Sequence, residues 1–391
     1  MKIGVITFWN SNDNYGQLLQ LWALQQWLKK NGHSPYVINY SPMQSKKRKD
    51  YKYYFKIIIK VLLIYPIYHK YIITQRNKKY EILKRENDIK NKQRKFDDFR
   101  KNNIIFSSNK YHSLYDLQKN PPKADLYITG SDQVWAQLLN QDNNRAYFLD
   151  FGPINIKRIS YAPSFSMLQY PKKLLDKLHE NLARFDALSV REKTGVEICK
   201  IAGYKATLVC DPTLLITQQE YLNIADNHIS KNNYIYIYIY SLNIGNPEDI
   251  RWSELESFSS IQNLRIKVTT ASGYIPAREL FGDSVEYDYS TIPEWLNNIR
   301  NAELLVTPSF HGVVFAILMH TSFIYVPLKG RFEGGNSRIT DLLEDLNLTN
   351  RILKEDTTFD YIYNLNIDWN DVDKNLSIIR QRSESFLKNI L

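Results

Sequence analysis

His311, Lys329, Arg191 and the polar loops around them are the parts of this sequence whose residue types and spacing could do chemistry. In "ELLVTPSFHGVVFAILMH", residues 303–320, His311 stands where the apolar run "LLV" gives way to a run with helical spacing. Ligands of open α/β sheets bind beyond the carboxyl ends of strands, at the N-termini of the helices that follow. Histidine titrates near neutrality, which makes it a natural proton donor at such a place, although a lone loop histidine is more often a satisfied polar group. Lys329 follows in "VPLKGRFEGGNSR", together with Arg331 and Arg338. Arg191 ends the strand-like run of "LSVREKTG", and a guanidinium binds carboxylate or phosphate with two parallel bonds, though an ion pair is its commoner role. A histidine and two cations from separate loops suit an acidic substrate and a proton transfer. In "ITGSDQVW", Gly130 would let the chain approach a ligand, and Ser131 or Asp132 could bond hydroxyls; Asp132 could equally cap a helix. In "NSNDNYG", Asn14, Tyr15 and Gly16 precede a helix whose N–H groups could face an anion or a sugar, with a plain helix cap as the alternative. That loop is not a GxGxxG fingerprint. Cys199 and Cys210 form no CxxC pair and have no nearby histidine, so neither a disulfide framework nor a zinc site is expected.

The elements that must position these loops alternate between strand and helix. "KIGVITFW", the helical "QLLQLWALQQWLKKNGH" and "YVINY" make a β-loop-α-β unit, the start of a doubly wound parallel sheet. Similar runs continue to "CDPTLL", and a second set begins at "YIYIYIY". The expected division is an N-terminal α/β domain over residues 1–215, a C-terminal α/β domain over 216–355 and a helical tail over 356–391. A basic helical insertion, residues 46–101, interrupts the first domain with 19 Lys or Arg against 6 Asp or Glu, more than the whole net charge of +10. It lacks a recognisable nucleic-acid-binding pattern. Its run Tyr53–Ile73 is apolar but broken by Lys56, Lys60, Pro66 and Lys70, short of the roughly 20 clean residues a membrane span requires. An apolar face flanked by lysines fits docking on an anionic membrane, and it fits equally well a helix packed on its own protein. The N-terminus reads as a strand without a signal peptide's apolar region, so a cytoplasmic protein, peripheral at most on the inner face of the membrane, is expected.

Taken in order, "NYGQLLQLWALQQWL", "ITGSDQVW", "YAPSFS", "SVREKTG", "CDPTLL", "PSFHGVVFAILM" and "NSRITDLLEDLNL" resemble the successive landmarks of the polysaccharide pyruvyl transferase family. The resemblance runs through residues 1–40 and 124–348, with "GSDQVW" and "SFHG" its most specific blocks. It implies a glycosyltransferase-B-like fold, two Rossmann-like doubly wound domains facing a cleft. The implied activity is transfer of the enolpyruvyl group of phosphoenolpyruvate to a sugar, closing a pyruvate ketal during synthesis of a surface polysaccharide such as a capsule or exopolysaccharide. By motif position it implies His311 as the acid and Arg191 and Lys329 as contacts to phosphoenolpyruvate; where many members carry an arginine this chain has Ser309, so one contact at the donor is either missing or supplied by Arg331 or Arg338. The acceptor sugar, expected on a polyprenyl diphosphate carrier, is assigned to Asn14, Tyr15, Ser131, Asp132 and Ser164. No metal is expected, and no cofactor beyond phosphoenolpyruvate as donor substrate. Two rivals remain open at this stage: a nucleotide-sugar glycosyltransferase of the same architecture and a catalytically inactive glycan-binding scaffold, which donor turnover separates.

Overall fold

The computed structural model describes residues 1–42, 82, 85, 86, 88–136, 141–225, 234–240, 246–271, 281, 282 and 285–391. The run Tyr53–Ile73 and the lysine cluster at its start, on which the expectation of membrane docking rests, lie outside the described residues.

In the first lobe, β1 (Lys2–Ile6), β2 (Ser34–Tyr40), β3 (Phe106–Tyr111), β4 (Leu126–Thr129) and β5 (Lys157–Ser160) form a parallel sheet in the order β3-β2-β1-β4-β5. A short pair, β6 (Ser189–Val190) and β7 (Thr207–Leu208), extends this lobe. In the second lobe, β8 (Tyr234–Tyr240), β9 (Arg265–Ala271), β10 (Glu286–Tyr287), β11 (Leu304–Thr307) and β12 (Phe323–Tyr325) repeat the arrangement as β10-β9-β8-β11-β12. Both are doubly wound sheets, and in each the strand order reverses between its first and fourth strands. Strands β4 and β11 are buried at every position, because helices cover both faces of a parallel sheet. Strand β8 shows the period of two directly. Ile235 and Ile237 face the second lobe's own core, whereas Tyr234, Tyr236 and Tyr238 join the larger apolar cluster that both lobes share.

That shared cluster decides how the lobes meet. Helix α1 (Tyr15–Lys30) leaves the carboxyl end of β1, and α2 (Phe96–Asn103) closes the basic insertion. Helix α3 (Lys193–Ile201) follows β6, and in the second lobe come α4 (Ile292–Asn301), α5 (Phe310–Met319) and α6 (Ser337–Asp345). Every residue of α5 is buried. Tyr15 stacks on Trp295 at 4.8 Å and 6°, and Tyr221 packs edge-on against Phe315 at 5.0 Å. The amphipathic tail becomes α7 (Trp369–Ile390) and returns to the first lobe, where Ser383 Oγ accepts from Cys210 N (2.8 Å) and Arg380 Nε donates to Leu214 O (2.7 Å). Both cysteines are buried thiols. Among the described residues, no helix is long and apolar enough to cross a membrane.

Candidate active site

Three strand ends of the first lobe and one helix start of the second converge on a single polar cluster. Ser309 precedes α5, and its hydroxyl accepts from Gly312 N (3.4 Å), the N-cap that a serine at this point favours. Gly312 lets the first turn lie on β11, where a Cβ would come within 2.5 Å of Thr307 Oγ1. This start places His311 between the lobes, 4% exposed, with Nε2 lacking a hydrogen-bond partner. Its ring lies directly on the first turn of α1: a Cβ on Gly16 would be 2.1 Å from His311 Cγ.

Asp211 faces the histidine, with Oδ2 3.8 Å from Nε2. This carboxylate is fixed on every side. Oδ2 accepts from Ser131 Oγ (2.6 Å) and Arg191 Nη1 (2.8 Å), and Oδ1 accepts from Thr213 N (3.0 Å) and Thr213 Oγ1 (2.7 Å). Burial alone would raise its carboxyl, but the facing His311, Arg191 and Ser131 outweigh burial and hold it well below the usual range. Arg191 is itself ringed by acids, with Nη2 3.8 Å from Asp132 and Nε 3.9 Å from Glu192. Glu192 is 1% exposed and is held by Phe165 N (2.8 Å) on Oε1. Its burial pushes the carboxyl up from its ordinary value against the pull of Arg191 and Arg338. The Phe310 ring separates the two arginines, Arg191 at 5.0 Å and Arg338 at 5.6 Å from its centroid. Arg338 also reaches the first lobe, where the Gln133 amide oxygen, suitably oriented, accepts from Nη1 (2.7 Å) and Nη2 (2.8 Å). Three buried polar atoms here have no hydrogen-bond partner within the protein: His311 Nε2, Arg191 Nε and Glu192 Oε2. Buried polar atoms without a hydrogen bond are rare in protein interiors, and here Arg191 Nε faces Glu192 Oε2 at 3.9 Å and His311 Nε2 faces Asp211 Oδ2 at 3.8 Å, beyond hydrogen-bonding reach. The small cavity beside Arg191, Phe310 and Arg338 measures about 30 Å³.

The structure thus brings together His311, Arg191, Arg338, Ser131 and Asp132, with Ser309 as the cap beneath them. Lys329 is not joined to them: it is exposed and lines a separate cavity of about 220 Å³ with Pro308 and Asp249. The Arg331 side chain lies outside what is described. Several residues expected at the acceptor have partners within the protein. Asn14 caps α1 through Gln17 N (3.0 Å), and Tyr15 is fully buried with its hydroxyl donating to Ser290 O (2.7 Å). Ser164 is fully buried and accepts from Ser166 N (3.1 Å). Asp132, at φ +80°, caps the turn through Gln133 N (2.8 Å), and Gly130 makes room for Thr7, which a Cβ would meet at 3.2 Å. Asp211 and Glu192 were not singled out from the sequence. The signal for Asp211 was the one that marked Arg191, a charged residue directly after an apolar strand-like run in "ATLVCDPT". Among the described residues, no group of three His, Cys, Asp or Glu could hold a metal ion.

The model of the family described as polysaccharide pyruvyl transferase matches residues 14–329. Among solved structures, the UDP-GlcNAc 2-epimerase of Methanocaldococcus jannaschii, in complex with UDP-GlcNAc and UDP, superposes with a TM-score of 0.50 at 13% identity, covering 100% of this chain and 99% of that one. The UDP-N-acetylglucosamine 2-epimerase of Rickettsia bellii gives 0.51 at 10% identity, covering 99% and 95%. At such identity the likeness is one of fold, and it bears out the expected glycosyltransferase-B-like pair of Rossmann-like domains. No curated protein matches the chain.

Proposed function

The chain belongs to the polysaccharide pyruvyl transferase family, and from that premise we propose that it takes the enolpyruvyl group from phosphoenolpyruvate and closes it as a ketal across two hydroxyls of a saccharide. The observation that carries this reading is His311 Nε2, buried at the helix start between the lobes and without a hydrogen-bond partner. In the proposed sequence, His311 gives its proton to the methylene carbon, and the central carbon becomes an oxocarbenium-like electrophile. A sugar hydroxyl adds there, and His311, now neutral, takes the hydroxyl proton. Phosphate then leaves with the C–O bonding pair and restores the cationic centre. A second hydroxyl adds, its proton passing to the departing phosphate. One phosphoenolpyruvate and one diol thereby yield one ketal and one phosphate, with nothing oxidised or reduced.

Arg191 and Arg338 supply the positive charge that suits the donor's carboxylate and phosphate. Arg191 is already paired with Asp211, and its Nε, 3.9 Å from Glu192 and without a hydrogen bond, would have to turn from that carboxylate to the donor. Lys329 enters this reading only if the second lobe's loops rearrange around the donor. The cavity beside Arg191 is too small for phosphoenolpyruvate, so the reading includes a parting of the lobes to admit it.

Incubation of the purified chain with phosphoenolpyruvate and bacterial oligosaccharides should release phosphate and add the mass of pyruvate less water to one sugar. Turnover of a sugar nucleotide in place of phosphoenolpyruvate would overturn the reading. The excess of Lys and Arg over residues 46–101 further supports an acceptor carried on a polyprenyl diphosphate at the inner leaflet, since each basic residue near an anionic surface contributes about 1 kcal/mol. Sedimentation with anionic but not neutral vesicles, weakening as salt rises, is the expected behaviour. Indifference to anionic vesicles at low salt would remove the membrane from the proposal.

A further inference from the structure

A third arginine lines the small cavity beside Arg191 and Arg338. It is Arg382 of the tail helix α7, and Ile379, three residues earlier on the same helix face, lines the cavity with it. Ile379 packs into the apolar cluster that both lobes share. On either side of Arg382 the helix is tied to the first lobe, through Arg380 Nε on Leu214 O (2.7 Å) and Cys210 N on Ser383 Oγ (2.8 Å). The three arginines differ in what they already hold. Arg191 donates to Asp211 (2.8 Å) and Ser131 (3.3 Å), and Arg338 to the Gln133 amide. Arg382 is half-exposed, and among the described residues its guanidinium makes no hydrogen bond; Asp345 Oδ2 stands 4.0 Å from Nη2.

A guanidinium with its fork of N–H groups uncommitted suits a phosphate, which accepts two of them in parallel. Two carboxylates of α6, Asp341 and Asp345, also line the cavity and oppose an anion there. Both are set against cations across the lobes. Asp341 Oδ2 accepts from Lys193 N (2.9 Å), and Lys193 Nζ lies 3.7 Å from Asp341 and 3.8 Å from Asp345. Since α6 belongs to the second lobe and this turn of α7 is tied to the first, a parting of the lobes draws Asp345 away from Arg382. Phosphate is the group that must leave for solvent, and Arg382 is half-exposed where Arg191 is buried beside His311. We propose that Arg382 binds the phosphate of phosphoenolpyruvate, taking it up in exchange for Asp345. The identity of the donor rests on the transferase reading; the affinity of Arg382 for a phosphate does not.

Arg382→Ala tests it, because a half-exposed pair at 4.0 Å contributes little to stability and the variant should melt where the wild type does. Phosphoenolpyruvate, inorganic phosphate and pyruvate are each titrated calorimetrically into the full chain and the variant. The variant should bind phosphoenolpyruvate about tenfold more weakly, the loss of a charge-assisted contact, and inorganic phosphate more weakly by a similar factor, with pyruvate unaffected. Arg382→Lys keeps the charge without the fork, so it should recover only part of the loss, and it decides the matter if the alanine variant fails to fold. Lys388→Ala removes an exposed charge from the same helix and should bind as the wild type does. Unchanged affinity for phosphoenolpyruvate in both Arg382 variants, or an equal loss in Lys388→Ala, would overturn the proposal. A loss for pyruvate with none for phosphate would overturn the assignment to the phosphate. Binding of phosphoenolpyruvate that depends on Arg382, with no pyruvate added to any saccharide, would instead sink the transferase reading and leave this contact standing.

Discussion

At the scale of single residues, the site is a histidine facing a carboxylate that has spent its hydrogen-bonding capacity elsewhere. His311→Ala should lower turnover by about 10² to 10⁴, the usual contribution of a positioned acid, with circular dichroism unchanged; near-normal turnover would take His311 out of the chemistry. Glu192 allows a test through stability. Its folded carboxyl titrates above the ordinary value, so the folded state binds the proton more tightly than the unfolded chain, and the cost of ionising it is present at neutral pH and disappears in acid. Glu192→Gln should therefore melt higher than wild type at pH 7, and the advantage should fade as the pH falls toward about 4.3, where the unfolded carboxyl is itself half protonated. A variant that is less stable at pH 7 would mean that Arg191 outweighs burial. His311 and Arg191 could be read from the sequence because each ends an apolar run. The burial of Tyr15 and Ser164 could not be read, since a polar side chain in a loop looks the same on paper whether it turns to solvent or to a carbonyl such as Ser290 O. Asp211 was hidden by its neighbour: an aspartate before proline reads as a turn residue.

Among the elements, the strands and the long helices follow their periods, and the alternation "YIYIYIY" states its own two faces. What periodicity cannot give is the partner of each face. The tail helix α7 was legible as amphipathic, yet its return to the first lobe depends on Arg380 and Ser383 meeting Leu214 O and Cys210 N far back in the chain. The end of the insertion is similar. Arg94 is 1% exposed and lies between the rings of Tyr15 (5.2 Å) and Tyr289 (5.3 Å), one from each lobe, with Nη1 donating to Asp13 O (3.3 Å). Composition shows a run of basic residues there and nothing of this clamp. Arg94→Ala should destabilise the chain by about 2 kcal/mol, the range for a desolvated cation on aromatic faces, as read by denaturant unfolding. A change within error would show that the stacking adds nothing to the contact between lobes.

For the molecule as a whole, the decisive feature is the contact of Gly16 with the His311 ring, where the first lobe's opening helix meets the second lobe's histidine. On helix propensity alone, Gly16→Ala should stabilise α1 by up to about 1 kcal/mol. Here the added methyl would occupy the histidine's place, so the lobes should part: the radius of gyration from solution scattering should rise, and turnover should fall about a hundredfold, the effect of displacing a reacting group by an ångström. No change in either quantity would show that the contact does not set the site. The same contact bears on how such an enzyme could keep water out of the reaction. A protonated enol phosphate is open to attack by any hydroxyl, and water is the most abundant. If the acid reaches its working position only when the two halves meet, a donor bound to one half alone is never activated, and hydrolysis is suppressed by timing, with no barrier needed against water itself.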